Sequence, residues 1–141
     1  MGKQVKKKFK SLSASSQDPK RFVQLNYLLI KSNAFKEVSG GAFKLYVKVR
    51  ERFNGVNNGE IGFSVRDASN KLGISRMTAS KYFKELEEKG FLKIKEKGSY
   101  NFKSRHATTW IITAERYNHK APSNDFMSWN KHNTSKWYCQ Y

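Results

Sequence analysis

Arg76, Met77, Thr78, Ser80 and Lys81 fall within six consecutive positions of a 141-residue chain. Together they offer the groups that answer to the edges of nucleic-acid bases. An arginine bonds guanine in bidentate fashion, a hydroxyl bonds several bases, and a methionine touches the thymine methyl. Lys81 and Lys84 also suit phosphate, because a flexible point charge fixes position without reading sequence. Ser64, Arg66 and Ser75 stand where helices are expected to begin, and with Lys84 they are candidates for backbone contacts. Downstream, Lys97, Lys103, Arg105 and His106 form a second basic group with Tyr100 and Phe102 interleaved. Arg105 is the candidate for a narrow minor groove, whose negative potential favours arginine.

Other chemistries find less material. The carboxylates are scattered or sit on charged helix faces, and no paired-acid metal site or Gly-rich phosphate loop followed by Lys and Ser or Thr is present. We expect no enzyme. Cys139 is the single cysteine and His106, His119 and His132 lie far apart, so neither an internal disulfide nor a metal site is expected. No cofactor is called for. Lys and Arg number 28 against 11 Asp and Glu, a net charge of +17, with a pI near 10.1. Such an excess points to a polyanionic partner. A mean hydropathy of −0.79 and the lack of any run of about 18 apolar residues argue against a membrane span. The basic N-terminus is not followed by an apolar segment, so a secretory signal is not expected, and the expected location is cytoplasmic, beside the nucleoid.

These residues must be positioned by local structure. Residues 1–20, rich in Lys and Ser, read as a disordered basic arm. Phe22 to Leu25 reads as a short extended stretch, and Asn26 as the cap of a short helix from Tyr27 to Lys31. A second short helix is expected over Asn33 to Val38. Ser39 caps a longer one, in which Ala42, Leu45, Tyr46, Val49 and Phe53 share a face. The run from Asn54 to Gly59 is turn chemistry and stops it. Ile61 to Phe63 reads as a strand. Ser64 with Asp67 gives a capping pattern opening a helix that ends at Leu72, Gly73 supplies a left-handed residue, and Ser75 caps a third helix reaching about Lys89. In that helix Ala79, Phe83 and Leu86 face inward, whereas Arg76, Ser80 and Lys84 form an outward stripe with Met77 and Lys81 beside it. Glu85, Glu87 and Glu88 crowd its far half, so the N-terminal half is the end expected to insert into a groove. Ala68 and Ala79 are small where two helices should cross. Phe91 to Lys95 and Thr108 to Thr113 read as strands joined by a long hairpin tip from Lys97 to Ala107. Beyond Ala114 the signals weaken. Asn124 is a candidate cap for a short turn, and Trp129, Trp137, Tyr138 and Tyr141 are candidates to cover the core or meet a second protomer, with stacking on nucleic-acid bases as the third choice.

The stretch from Leu72 to Lys81 resembles the turn and recognition helix of bacterial winged helix-turn-helix regulators, and Glu85 to Leu92 resembles the passage into their wing. The similarity spans about residues 40 to 114. Asn54-Gly55 with Asn58-Gly59, Arg105 to Trp110, and Phe126 to Trp129 are similar to segments of small, largely uncharacterised winged-helix proteins of bacteria and their phages or plasmids. The resemblance implies an α+β, mainly α fold, a winged helix-turn-helix over residues 21–114 with a two- to three-stranded β wing, followed by an aromatic-rich extension over 115–141. It implies sequence-specific binding of double-stranded DNA by a transcription regulator. Two further readings stand beside it: a plasmid or phage replication initiator or maintenance protein on origin DNA, and a basic RNA-binding protein. RNA polymerase or replication machinery are the corresponding protein partners. A homodimer on inverted half-sites and a monomer held by wing and arm are both open.

Overall fold

Three serines set the frame of the molecule. Ser39, Ser64 and Ser75 are each in an extended conformation, and each hydroxyl accepts an N–H from the first turn of the helix that follows. A cap of this kind satisfies a donor the helix itself leaves unpaired. In this computed structural model the described residues are 21–101 and 104–132. Among them are five helices: α1 (Tyr27–Lys31), α2 (Asn33–Glu37), α3 (Gly40–Glu51), α4 (Val65–Leu72) and α5 (Arg76–Glu88). Asn26 caps α1 as expected, bonding the Leu28 N–H at 2.9 Å. Ser64 and Asp67 form a reciprocal capping box at the start of α4. Gly73 closes α4 at φ 63°, ψ 37°, a conformation that glycine adopts without a Cβ penalty, and the chain turns at once into α5.

Among the described residues there are also five strands: β1 (Ile61–Gly62), β2 (Leu92–Glu96), β3 (Ser99–Asn101), β4 (Ser104–His106) and β5 (Thr109–Ile112). β5 runs antiparallel between β1 and β2 in a three-stranded sheet, and β3 pairs with β4 in a separate ladder. The fold is α+β and mainly helical. The long hairpin tip expected over Lys97 to Ala107 carries two paired strands of its own, β3 and β4. The ladders meet at Gly98, where an added Cβ would lie 2.9 Å from the Thr108 N and 3.0 Å from the His106 carbonyl oxygen.

The core is one cluster drawn from every layer. Leu45, Tyr46 and Val49 of α3, Ala68 of α4, Ala79, Phe83 and Leu86 of α5, and Leu92, Trp110 and Ile112 of the sheet are all buried. Ala68 and Ala79 are fully covered, as their small size at a helix crossing requires. The Phe83 ring stacks on Trp110 at 4.7 Å, and the indole N–H of Trp110 donates to the Phe63 carbonyl at 2.9 Å. Asn58, within the Asn/Gly turn, donates to the carbonyls of Ile112, Glu115 and Arg116 and accepts from the Ile112 N–H. The turn thus staples the end of β5.

Some local expectations differ from the structure. Phe53 falls beyond the end of α3, although it still packs partly against the core. Asn124 precedes a 3-10 turn, Asp125–Ser128, but sits at φ 47° and makes no side-chain cap. The left-handed backbone (φ 47°, ψ 43°) is not the extended conformation a capping residue needs, and its N–H is bound to the Thr113 carbonyl at 2.9 Å. The same turn buries Phe126 completely, with its ring stacked 5.9 Å from Phe91. Sequence signals faded here because a single large aromatic side chain, not a periodic pattern, anchors the segment.

Candidate nucleic-acid interface

α5 has two unlike faces. Ala79, Phe83 and Leu86 are buried, whereas Arg76, Met77, Ser80, Lys81 and Lys84 are exposed. Met77 is 72% exposed, and a large apolar side chain left so open on a helix packed on its other side has no part in the core. Apolar spacing thus turns five of the expected contact residues outward together. Thr78 differs from them. It is half-buried, and its hydroxyl lies 2.9 Å from that of Ser75, which also accepts the Thr78 N–H at 3.1 Å. Both hydroxyls are engaged in starting the helix.

At the start of α4, Arg66 is exposed and Ser64 is half-buried in its capping box. Burial by itself would raise the Asp67 pKa, but the hydrogen bonds from the Ser64 side chain and backbone, with Arg52 and Lys71 nearby, hold it below the usual carboxylate range. Arg52 was not singled out in the sequence. Its guanidinium donates to the Gly62 carbonyl and lies 4.3 Å from the centre of the Phe63 ring, tying the chain after α3 to β1 and the approach to α4. A helix-ending arginine gave no signal of that task.

The acidic half of α5 is held inward at one point. Glu85 accepts from the Ser39 backbone N–H at 2.8 Å and from its hydroxyl at 2.7 Å, while Lys89 pairs with it at 3.6 Å. One carboxylate therefore joins the end of α5 to the start of α3, where the helix dipole favours negative charge. Glu87 is pushed up by partial desolvation and by Glu88, with Lys97 acting against both.

In the hairpin tip, Lys97 and Arg105 are exposed. His106 is engaged at the tip's base, where its Nε2 lies 3.1 Å from the Lys97 carbonyl oxygen and 3.3 Å from Glu96. Across the ladder Tyr100 faces Arg105 in register. Lys103 and Phe102 lie outside the described residues, as do the side chain of Tyr100, the arm 1–20, and Trp137, Tyr138, Cys139 and Tyr141. Trp129 packs partly against the core beneath Lys89, whose Nζ is 4.9 Å from the ring centre.

The arrangement can supply hydrogen-bond donors and positive charge on one helix face, and two further exposed cations, Lys97 and Arg105, on the hairpin. Among the described residues no group of three or more His, Cys, Asp or Glu could hold a metal ion. Among them, too, no helix is long and apolar enough to cross a membrane. Comparison with protein-family models, with curated proteins and with solved structures finds no match to this chain.

Proposed function

We propose that this chain is a sequence-specific double-stranded DNA-binding protein of winged-helix architecture, acting in the regulation of transcription. The observation that carries the reading is the exposed stripe Arg76, Met77, Ser80, Lys81 and Lys84 on a helix whose opposite face is fully buried. The order of elements supports it: α3, β1, α4, a glycine turn, α5, then two strands, β2 and β5, that flank the hairpin and pair with each other, β5 also pairing with β1. A helix of this diameter enters the B-form major groove, where each base pair shows a distinct pattern. The net charge of +17 adds affinity through release of counterions from the phosphates.

In this reading Arg76, Met77 and Ser80 face base edges. Lys81 and Lys84 hold the flanking phosphates, with Arg66 and the first turn of α4 on the adjacent backbone. Thr78 and Ser75 contribute through the helix start they stabilise, and their exposed N-terminal turn favours phosphate. Lys97 and Arg105 reach the neighbouring minor groove or backbone from the hairpin. No reacting group is assigned, and the work of the protein is occupancy of DNA inside the cell.

The test is selection from a pool of random duplexes, followed by binding measurements on the recovered site, a scrambled duplex and a structured RNA. Recovery of a defined motif, bound at least ~1,000-fold more tightly than scrambled DNA, is expected of specific recognition. Recovery of no motif, or preference for RNA, whose deep major groove excludes such a helix, overturns the reading.

A further inference from the structure

The chain carries two Asn-Gly pairs, Asn54-Gly55 and Asn58-Gly59, both in the connection from α3 to β1. An asparagine followed by glycine can react with its own backbone. No side chain hinders the glycine nitrogen, and attack on the amide carbon closes a five-membered ring within one molecule.

The fold treats the two pairs in opposite ways. Asn58 is buried, its amide donates to the carbonyls of Ile112, Glu115 and Arg116, and its oxygen accepts the Ile112 N–H at 2.7 Å. The Gly59 nitrogen is engaged as well, donating to the Trp110 carbonyl at 3.1 Å. Asn54 is exposed, and Val56 beyond it is 89% exposed. Among the described residues nothing accepts from the Asn54 amide nitrogen or from the Gly55 N–H, and a Cβ at Gly55 would meet no atom within 4 Å. The Asn54 side-chain oxygen, by contrast, accepts two backbone N–H groups, from Val56 and Asn57, each at 3.0 Å. Two donors on one carbonyl oxygen draw electrons from its carbon and stabilise the oxyanion that attack creates. The Asn57 side chain braces this arrangement, accepting the Asn54 N–H at 2.9 Å and donating to the Arg52 carbonyl at 3.0 Å.

We propose that Asn54 is a site of spontaneous covalent modification in the folded chain, converted by water to aspartate and isoaspartate, and that the fold preserves Asn58. The Gly55 nitrogen bonds to Cγ of Asn54 and gives up its proton. The Cγ–Nδ2 bond breaks, and ammonia leaves with that proton. Water then opens the succinimide. Breaking the bond from the Gly55 nitrogen to Cγ yields aspartate, and breaking its bond to the main-chain carbonyl carbon yields isoaspartate, in which the chain runs through Cγ. No oxidant or reductant takes part. Either product puts a carboxylate in place of a neutral amide just past the C-terminus of α3, where negative charge opposes the helix dipole.

The experiment is incubation of the full chain in mildly alkaline buffer at physiological temperature, folded and in concentrated urea, with samples taken over weeks. Digestion at mildly acidic pH after Arg52 and Arg66 releases one peptide holding both pairs. Fragmentation mass spectrometry then locates each exchange of amide for carboxyl and separates isoaspartate from aspartate. Expected in the folded chain is conversion at Asn54 at least ~10-fold faster than at Asn58, whose reaction requires the fold to open. In urea the two rates should agree within about threefold, since the fold no longer distinguishes them. Asn54→Gln, whose longer side chain closes its ring far more slowly, is expected to remove most of the exchange from this peptide while circular dichroism stays unchanged. Equal rates at the two sites in the folded chain, or faster loss of Asn58, overturn the proposal. An Asn54 preference as large in urea as in the folded chain also overturns it, by assigning the difference to local sequence. So does a folded rate at Asn54 more than ~10-fold below its rate in urea, which would make the turn protective. No DNA is involved, so failure here is distinct from failure of the selection experiment.

Discussion

The difference between an exposed arginine and an engaged hydroxyl decides which residue can read a sequence. Arg76 is exposed at the leading end of α5, so Arg76→Ala is expected to lower discrimination between the selected site and scrambled DNA by about 1 to 3 kcal/mol, the worth of a bidentate base contact. Equal weakening on both duplexes in an anisotropy titration would assign Arg76 to phosphate instead. Lys81→Ala should weaken both duplexes alike and reduce the slope of log affinity against log salt by about 1. Thr78 shows what spacing alone misses: its position suggests a base contact, but its hydroxyl meets that of Ser75. Thr78→Val is therefore expected to reduce stability while leaving the selected motif unchanged, a pair of outcomes that repeated selection and thermal melting separate.

Elements are positioned by contacts at their ends. α5 is fixed at its start by the Ser75 cap, along its length by Phe83 against Trp110, and near its end by Glu85 reaching Ser39. Glu85→Gln keeps the shape but removes the charge facing the N-terminus of α3, and is expected to cost about 1 kcal/mol of stability in denaturant unfolding. The hairpin depends on Gly98, where a Cβ would press on the backbone at both Thr108 and His106. Gly98→Ala should therefore disturb the hairpin and weaken DNA binding with little change in the core, as read from tip amide shifts against those of β5. Helix starts and the left-handed Gly73 were legible in the sequence, since a cap bonds within three residues of itself. The β3–β4 ladder was not, because its short strands lack alternating hydrophobicity.

For the molecule as a whole, stability at high pH depends on a group far from the candidate interface. Tyr46 is fully buried, and burial pushes its phenol up to about 12, against the opposing pull of Arg50. The neutral phenol is the form the fold accepts. The corresponding stability is fully present below pH 10, near the unfolded pKa, and is lost as pH rises toward about 12, amounting to some 2 to 3 kcal/mol. Tyr46→Phe is expected to lower stability at neutral pH by about 1 kcal/mol, through loss of the bond from Arg50, and to flatten the alkaline decline relative to wild type in denaturant melts. At the opposite end of the charge balance, deleting residues 1–20 removes a cluster of lysines. It should lessen the salt dependence of DNA affinity without altering the preferred sequence.

By itself the sequence determined the composition of the outward stripe, the net charge, and the starts of the three longer helices, because apolar spacing and serine caps act over one or two turns of chain. It also set the left-handed bend at Gly73, where the absence of a side chain is a local fact. Tertiary structure alone decided which groups were taken up elsewhere. Glu85 meets Ser39 across 46 positions, Trp110 reaches Phe63 across 47, and Asn58 meets Ile112 across 54. Contacts at such separations cost loop entropy before they return anything. They are made only when the whole core closes, so no neighbouring residue announces them.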